Sequence, residues 1–335
     1  MIESGFYPLP QPPVPNHLFK TRCSAVVKAL RSEPPSKTPS LIATVFGDIV
    51  EAHGGEIWLG SLTRLLQPLG ISERLARTAV YRLSQDGSLE SIKSGRRSYY
   101  RLTPSARLRV DRFDRRIYYF NEPEWDGEWR LVFTGFRGIS AAQRAEVRRR
   151  MDWLGYGIIA PNVYGHPNAP AEPLRQLMEE LGITDKVSVM RARNHDRAHG
   201  LGSREMVRHC FDIERLEKAY AAFIQRYRPL ALALQQEGGS SDMNPEHCLI
   251  IRVMLIHQYR RILLHDPWLP TPLLPAAWSG FAAQRLCAVI YRAVENASNA
   301  QIRAVGEDRN GAFRAVTPRH RGRFAGLNEI LSRTS

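Results

Sequence analysis

Between residues 39 and 115 the apolar positions change period several times. SLIATVFGDIVEAHGG predicts a helix with Ser40 as N-cap and Gly54-Gly55 as stop. IWL at 57–59 predicts a very short strand. SLTRLLQPLG predicts a second helix, capped by Ser61 and ended near Pro68 and Gly70. SERLARTAVYRLSQDG predicts a third, capped by Ser72 and closed by Gly87. LESIK and SYYRL then alternate with period two, as the strands of a hairpin do. Helix, short strand, helix, turn, helix and hairpin is the order of a winged helix-turn-helix.

A basic connector, RLRVDRFDRRIYYFNEPEWDGEW, separates this region from a second pattern. WRLVFTGF and GIIAPNVYG read as strands, and SAAQRAEVRRRMDWLGYG as a helix capped by Ser140. AEPLRQLMEELG reads as another helix and DKVSVMRAR as a last strand. Alternation of this kind over 126–195 predicts a small ferredoxin-like module. Residues 204–297 are helical in pattern, interrupted by the proline-rich loop DPWLPTPLLPAAW. Residues 1–38 are Pro-rich and expected to form a flexible arm; 300–335 are rich in Arg and Gly and expected to be a basic disordered tail. The fold class expected is α+β, with a DNA-binding domain over 39–115, the ferredoxin-like module, and a helical domain over 204–297.

Charge sharpens this picture. The 335 residues carry a formal net charge of +14, with a pI of about 10.0 and 43% hydrophobic residues. Such a chain folds around real cores and favours polyanions, nucleic acid first and acidic membrane surfaces second. Thirteen Lys or Arg fall between residues 61 and 116, against five acids, so more than half of the excess lies in the predicted winged helix. Four scattered cysteines, Cys23, Cys210, Cys248 and Cys287, form no CxxC pair and fit a reducing cytoplasm better than a disulfide framework. The start, MIESGFYPLPQPPVPN, lacks the basic and apolar segments of a secretory signal, and the most apolar run, LIIRVMLI, is short and broken by Arg252.

At 100° per residue the third helix puts Ala76, Ala79, Val80 and Leu83 on one stripe. Arg74, Thr78, Tyr81 and Gln85 lie opposite, flanked by Arg77 and Arg82. That face carries the groups that read base edges: Arg for guanine, Gln for adenine, Thr for a thymine methyl. The hairpin tip KSGRR, with Lys93, Arg96 and Arg97, and Arg101 behind it, would lie over phosphates or a minor groove. A basic helix face is also ordinary solvated surface, and a basic hairpin tip also guards a sheet edge. The two features in succession behind a helix-turn-helix point to duplex DNA.

The run from SLIATVFGDIVEAHGG to SGRRSYYRLT resembles the N-terminal domain of PaaX-type repressors, which control phenylacetic acid degradation operons in bacteria. The likeness continues in RRRMDWLGYGIIAPNVY and in LIHQYRRILLHDPWLPTPLLPAAW, in the family's order, across roughly residues 39–295. The resemblance implies a winged-helix domain, a Cas2-like middle module and a helical C-terminal domain. It implies a homodimer that represses from operator DNA and is released by phenylacetyl-coenzyme A, with no cofactor.

A site for such an effector needs an apolar pocket beside cations. His257, Arg260 and Arg261, followed by Trp268 and Leu269 in a loop, offer both. The bland alternative is that the tryptophans pin the loop to a core and the arginines are solvated. Trp153 and Tyr156 form a second candidate with the same ambiguity.

Other functions leave weaker marks. A Cas2-like nuclease needs gathered carboxylates for Mg²⁺. WRLVFTGF holds none, with Asp126 before it and Asp152 in the next helix. His195 and His199, near His209 and Cys210, have zinc-like spacing on a helix, but Gly200 and Gly202 favour a loop. A membrane-surface adaptor driven by charge leaves the helix-turn-helix order unexplained. No P-loop, nucleophile elbow or HExxH occurs.

Overall fold

The computed structural model describes residues 17–32, 37–119, 124–136, 138–194, 200–237 and 243–325. The chain forms two compact units. One comprises Met1–Phe120, Phe223–Arg260 and Ala282–Ser335; the other comprises Asn121–Ala222 and Arg261–Phe281. Residues 204–297 are largely helical as expected, but they divide between the two units.

In the first unit, α1 (His17–Ser32) buries Cys23, Val27 and Leu30, spaced four and three apart on one face. Arg31 pairs with Glu246 at 2.7 Å. The expected flexible arm is corrected here: 17–32 is a packed amphipathic helix, and the prolines that suggested an arm lie outside it. Residues 1–16 and 33–36 are outside the described part of the chain.

α2 (Thr38–Val45) runs on into a π turn, Phe46–Val50, and a 3-10 turn, Glu51–His53, and stops at Gly54 with φ 113°. Its start precedes the expected cap, Ser40, because Pro39 belongs to the first turn, where a missing N–H costs nothing. β1 (Glu56–Trp58) leads to α3 (Leu59–Leu66). Ser61 is therefore inside α3 rather than capping it, and its Oγ accepts from Arg64 at 3.1 Å. α4 (Glu73–Gln85) follows, then β2 (Leu89–Ser94) and β3 (Arg97–Leu102). The sheet order is β1-β3-β2, all antiparallel, with Trp58 opposite Tyr99 and Ile92 opposite Tyr99 on its other side. α5 (Pro104–Tyr118) leaves this winged helix-turn-helix, capped by Thr103.

In the second unit, β4 (Glu128–Phe133), α6 (Ala141–Trp153), β5 (Gly157–Ala160), β6 (Val163–His166), α7 (Ala171–Glu180) and β7 (Ser188–Arg193) build an antiparallel sheet of order β5-β6-β4-β7. This is the ferredoxin-like order, and Ser140 closes a full capping box with Gln143 at the start of α6. GIIAPNVYG is two strands, not one: Asn162 adopts φ 61° in the turn between them. Val132, Val147, Met151, Leu174, Leu177 and Ile183 fill the core between helices and sheet. α8 (Ser203–Cys210) and the start of α9 (Ile213–Glu237) complete the unit with the proline-rich loop, whose Trp278 packs edge-on to Tyr220.

The rest of α9, most of α10 (Pro245–Leu263) and most of α11 (Ser279–Val305) belong to the first unit. The expected disordered tail, 300–335, is also corrected, over 300–325: α11 runs on through 300–305. β8 (Glu307–Asp308) and β9 (Gly311–Ala312) make a short hairpin, and α12 (Pro318–Arg321) follows. Phe313 stacks on His53, and Phe324 meets Tyr118 edge-on. Arg323 is buried at 2% exposure. The arginines that suggested a solvated tail are used for internal pairing, as with Arg309–Glu56 and Arg319–Asp111, both at 2.8 Å. Residues 326–335 are outside the described part.

Candidate nucleic-acid interface

The exposed face of α4 is set by its start and by what it buries. The Ser72 hydroxyl accepts the Leu75 N–H at 3.3 Å, fixing the first turn. Ala76, Ala79 and Val80 go into the core. Arg74, Arg77, Thr78, Tyr81, Arg82 and Gln85 are all exposed, Tyr81 at 65%. Thr78 Oγ1 donates back to the Arg74 carbonyl at 2.9 Å, which turns its methyl outward from that bond. Arg77 is held by Glu73 at 2.5 Å, one turn earlier. Arg74, Arg82 and Gln85 have no side-chain partner among the described residues. Leu75, 44% exposed at the same end, adds an apolar group to this face that the stripe of buried residues did not reveal.

The hairpin beside it turns at Gly95, with φ 57°. Lys93 and Arg96 are exposed and unengaged by other described side chains. Arg97 and Arg101 differ. Arg101 Nε pairs with Glu90 across the two strands at 2.6 Å. Arg97 pairs with Glu307 at 2.8 Å and lies over the Trp58 ring at 4.3 Å. Tyr99 is buried and Tyr100 half-buried on the other face.

Over most of its length the chain is similar to known proteins. The description "PaaX-like protein" matches residues 37–106, "PaaX protein central Cas2-like domain" 122–204, and "PaaX-like protein C-terminal domain" 211–304. The transcriptional repressor PaaX of Escherichia coli (strain K12) is 36% identical over 300 residues, covering 90% of this chain and 93% of that protein. The chain belongs to the PaaX-like family. The structure of the uncharacterized protein Rv0674 from Mycobacterium tuberculosis has the same fold, with a TM-score of 0.51 at 22% identity, over 78% of this chain and 99% of that one.

In this PaaX-like protein the residues singled out for an effector divide between the two units. His257 is 2% exposed and its Nδ1 shares a hydrogen bond with Thr44 Oγ1 at 3.1 Å. Arg260 donates to Thr44 Oγ1 at 3.1 Å and to the Ser40 carbonyl at 2.9 Å, and burial lowers its pKa. Both bind α10 to α2 within the first unit. Arg261, Trp268 and Leu269 belong to the second. There Trp268 is 38% exposed at φ 58°, its N–H donating to Asp266 at 2.6 Å, while Leu269 is buried. Trp153 is 52% exposed and Tyr156 is core.

The second unit also holds a cleft of about 790 Å³ where α8 meets α9. Arg208 and Lys218 supply cations, Asp212, Glu214 and Glu217 carboxylates, and Phe211, Ile213 and Pro275 an apolar lining. Sequence reasoning noticed His209 and Cys210 only as metal candidates. Most of the lining is local, between Arg208 and Lys218, and Pro275 and Ala277 of the proline-rich loop, more than fifty residues onward, complete it. His195 and His199 lie outside the described residues. Among the described residues no three His, Cys, Asp or Glu side chains converge as metal ligands.

The carboxylates nearest the first strand of the middle module are spoken for. β4 begins one residue earlier than expected and so includes Glu128, which pairs with Arg191 and Arg193 at 2.6 and 3.4 Å. Asp126 pairs with Arg191 at 2.6 Å.

Proposed function

We propose that the chain is a cytoplasmic transcriptional repressor, not an enzyme, which binds operator DNA as a homodimer and releases it when phenylacetyl-coenzyme A binds. The observation that carries the DNA reading is the outward face of α4. Six polar, cationic or aromatic residues stand exposed on a capped helix of a winged helix-turn-helix, beside a hairpin whose tip presents Lys93 and Arg96. The related protein named as a transcriptional repressor supports the same role. Two copies would engage two half-sites, as helix-turn-helix dimers do.

An acyl thioester effector is supported by the family resemblance and by the size and apolar surface of the α8–α9 cleft. Its size lies in the range of small-molecule sites, and its apolar surface lies beside Arg208 and Lys218, with Asp212, Glu214 and Glu217 also in the lining. Arg261 and Trp268 belong to the same unit but do not line this cleft. Release would follow from linkage: the effector weakens operator binding by the ratio of its affinities for the free and bound arrangements. No helix of the described residues is long and apolar enough to cross a membrane.

Binding of the full chain to the promoter region beside its gene tests this, titrated with phenylacetyl-coenzyme A and separately with phenylacetate. Tight binding that only the thioester releases is expected. Binding insensitive to both would keep the DNA function and discard the effector. Absence of sequence-specific binding would discard the repressor.

A further inference from the structure

The C-terminal hairpin meets the winged helix at a charged spot. Glu307 Oε1 accepts from Arg64 Nη2 at 3.1 Å, and its Oε2 accepts from Arg97 Nη1 at 2.8 Å. Arg64 lies near the end of α3 and Arg97 opens β3, so two elements of the winged helix converge on one anion. The indole of Trp58 forms the floor: Arg97 lies 4.3 Å and Arg64 5.4 Å from its ring centroid. Gly60 makes room for that floor, since a Cβ there would come within 2.6 Å of the ring. Arg64 is further aimed by its bond to Ser61 Oγ at 3.1 Å.

Two guanidiniums oriented on an aromatic floor and directed at one pair of oxygens are the chemistry that recognises a phosphate diester. A carboxylate presents a similar pair of oxygens with the same charge. Lys93 and Arg96, exposed at the tip next to Arg97, carry the positive surface onward. The Glu307 side chain is about 30% exposed, so it can swing out without moving its hairpin. That hairpin is fixed independently by Arg309 on Glu56 and by Phe313 on His53.

We infer that Arg64 and Arg97, over Trp58, form a binding site for a DNA backbone phosphate, which the Glu307 carboxylate fills when no DNA is bound. This rests on the DNA-binding reading and adds two residues to it: Arg64 as a phosphate ligand and Glu307 as an internal competitor. A phosphate contact of this kind positions the duplex and carries no sequence information. Glu307 therefore lowers affinity for all duplexes equally.

The test is a salt titration of DNA binding by the full chain, using the promoter duplex and a random duplex of equal length. Glu307→Gln keeps the side-chain shape and removes the charge. It is expected to bind both duplexes roughly fivefold more tightly, since two part-exposed ion pairs no longer have to break. The ratio between the two duplexes should stay as in the native chain. Arg64→Ala should weaken binding to both, flatten the salt dependence by about one unit of slope, and reduce the gain from Glu307→Gln when the two are combined, since only Arg97 is then left to be freed. Native-like or weaker binding by Glu307→Gln, in a chain that still recognises its promoter, would overturn the phosphate site alone. A chain that binds neither duplex with either residue at 307 would overturn the DNA-binding reading with it.

Discussion

Arg252 Nε lies 2.7 Å from Asp48 Oδ2, with the two side chains 2% and 1% exposed. The pair joins α10 to the π turn after α2, 204 residues apart in sequence. Its remaining lone pairs and protons are satisfied. Asp48 Oδ1 accepts from Tyr118 at 2.7 Å, Tyr291 at 2.9 Å and Arg323 at 3.1 Å. Arg252 Nη1 donates to Asn299 at 2.7 Å. Burial alone would push the Asp48 carboxyl up, but Arg252 and Arg323 hold it below its usual range. Arg323 also donates to the carbonyls of Gly47 and Asp48, at 2.8 and 2.6 Å. Those carbonyls lie within the π turn, so the C-terminal segment caps the place where the α2 ladder departs from α geometry.

Removing Arg252 leaves the buried Asp48 carboxylate with Arg323 as its remaining cation and strips Oδ2 of its donor. Arg252→Ala should therefore destabilise the protein by about 3–5 kcal/mol, far beyond the cost of an exposed ion pair. Urea unfolding of the variant measures this. A loss below about 1 kcal/mol would mean that water reaches Asp48 and the cluster is not a closed one.

Ending the chain after Val316 removes Arg323 from Asp48 and Asp114 and Phe324 from Tyr118. Loss of the buried arginine and the buried aromatic should each cost about 3 kcal/mol or more, so the shortened chain should unfold at a clearly lower urea concentration. Phe324→Ala alone should reproduce part of the loss. Unchanged midpoints would restore the tail to the role of a solvated appendage.

Asp114 and His320 make an unusual pair 4.0 Å apart. Burial raises Asp114 to about 6, although Arg323 opposes it. Burial, with Arg323 and Arg319 nearby, lowers His320 to about 4, with Asp48 and Asp111 acting the other way. Between about pH 4 and 6 the folded pair therefore holds one proton, on the aspartate. The unfolded chain also holds one over that range, on the histidine, so the pair contributes little slope to stability. Single variants should uncover opposite slopes. His320→Gln leaves the raised carboxyl, whose contribution is lost as pH rises from about 4 to 6. Asp114→Asn leaves the depressed imidazole, whose contribution is lost as pH falls from 6.5 to about 4. Urea midpoints of the three proteins across this range decide it; parallel curves would show that the two groups titrate normally.

What the sequence made legible was local. Ser72 before the periodic run of α4 marked its start, and the 100° spacing separated Ala76, Ala79 and Val80 from the exposed face. Ser140 and Gln143 marked α6 in the same way. The Ser40 and Ser61 caps failed because a serine near a helix start is ambiguous when Pro39 or Trp58 sets the turn earlier. α1 was hidden by the prolines around it, although Cys23, Val27 and Leu30 keep helical spacing. Arg323 and His257 were illegible for another reason. Their partners, Asp48 and Thr44, lie more than two hundred residues away, and a cation reads as solvated until the fold supplies a buried acceptor. The α8–α9 cleft went unread because Pro275 and Ala277, which complete it, lie more than fifty residues from the rest of its lining.

The hairpin tip and α4 should separate in their effects on DNA. Lys93 and Arg96 are exposed and unpaired by other described side chains, so they reach phosphates without breaking an internal bond. Replacing both with Ala should weaken binding to every duplex alike and flatten the salt dependence by about two units of slope, one for each phosphate left without its cation. Arg101, held by Glu90, should matter less than either. Tyr81 and Gln85 on α4 face outward where base edges would lie. Replacing Gln85 with Ala should leave the salt slope in place and relax the preference at a single base pair, by about 1–3 kcal/mol of lost discrimination. Binding-site selection on the variants reads this directly. The same preferred sequence from the native chain and from Gln85→Ala would move base recognition away from the C-terminal end of α4. It would leave the reading to the turn that carries Arg74, Leu75 and Thr78, which is also the end of the helix fixed by the Ser72 cap.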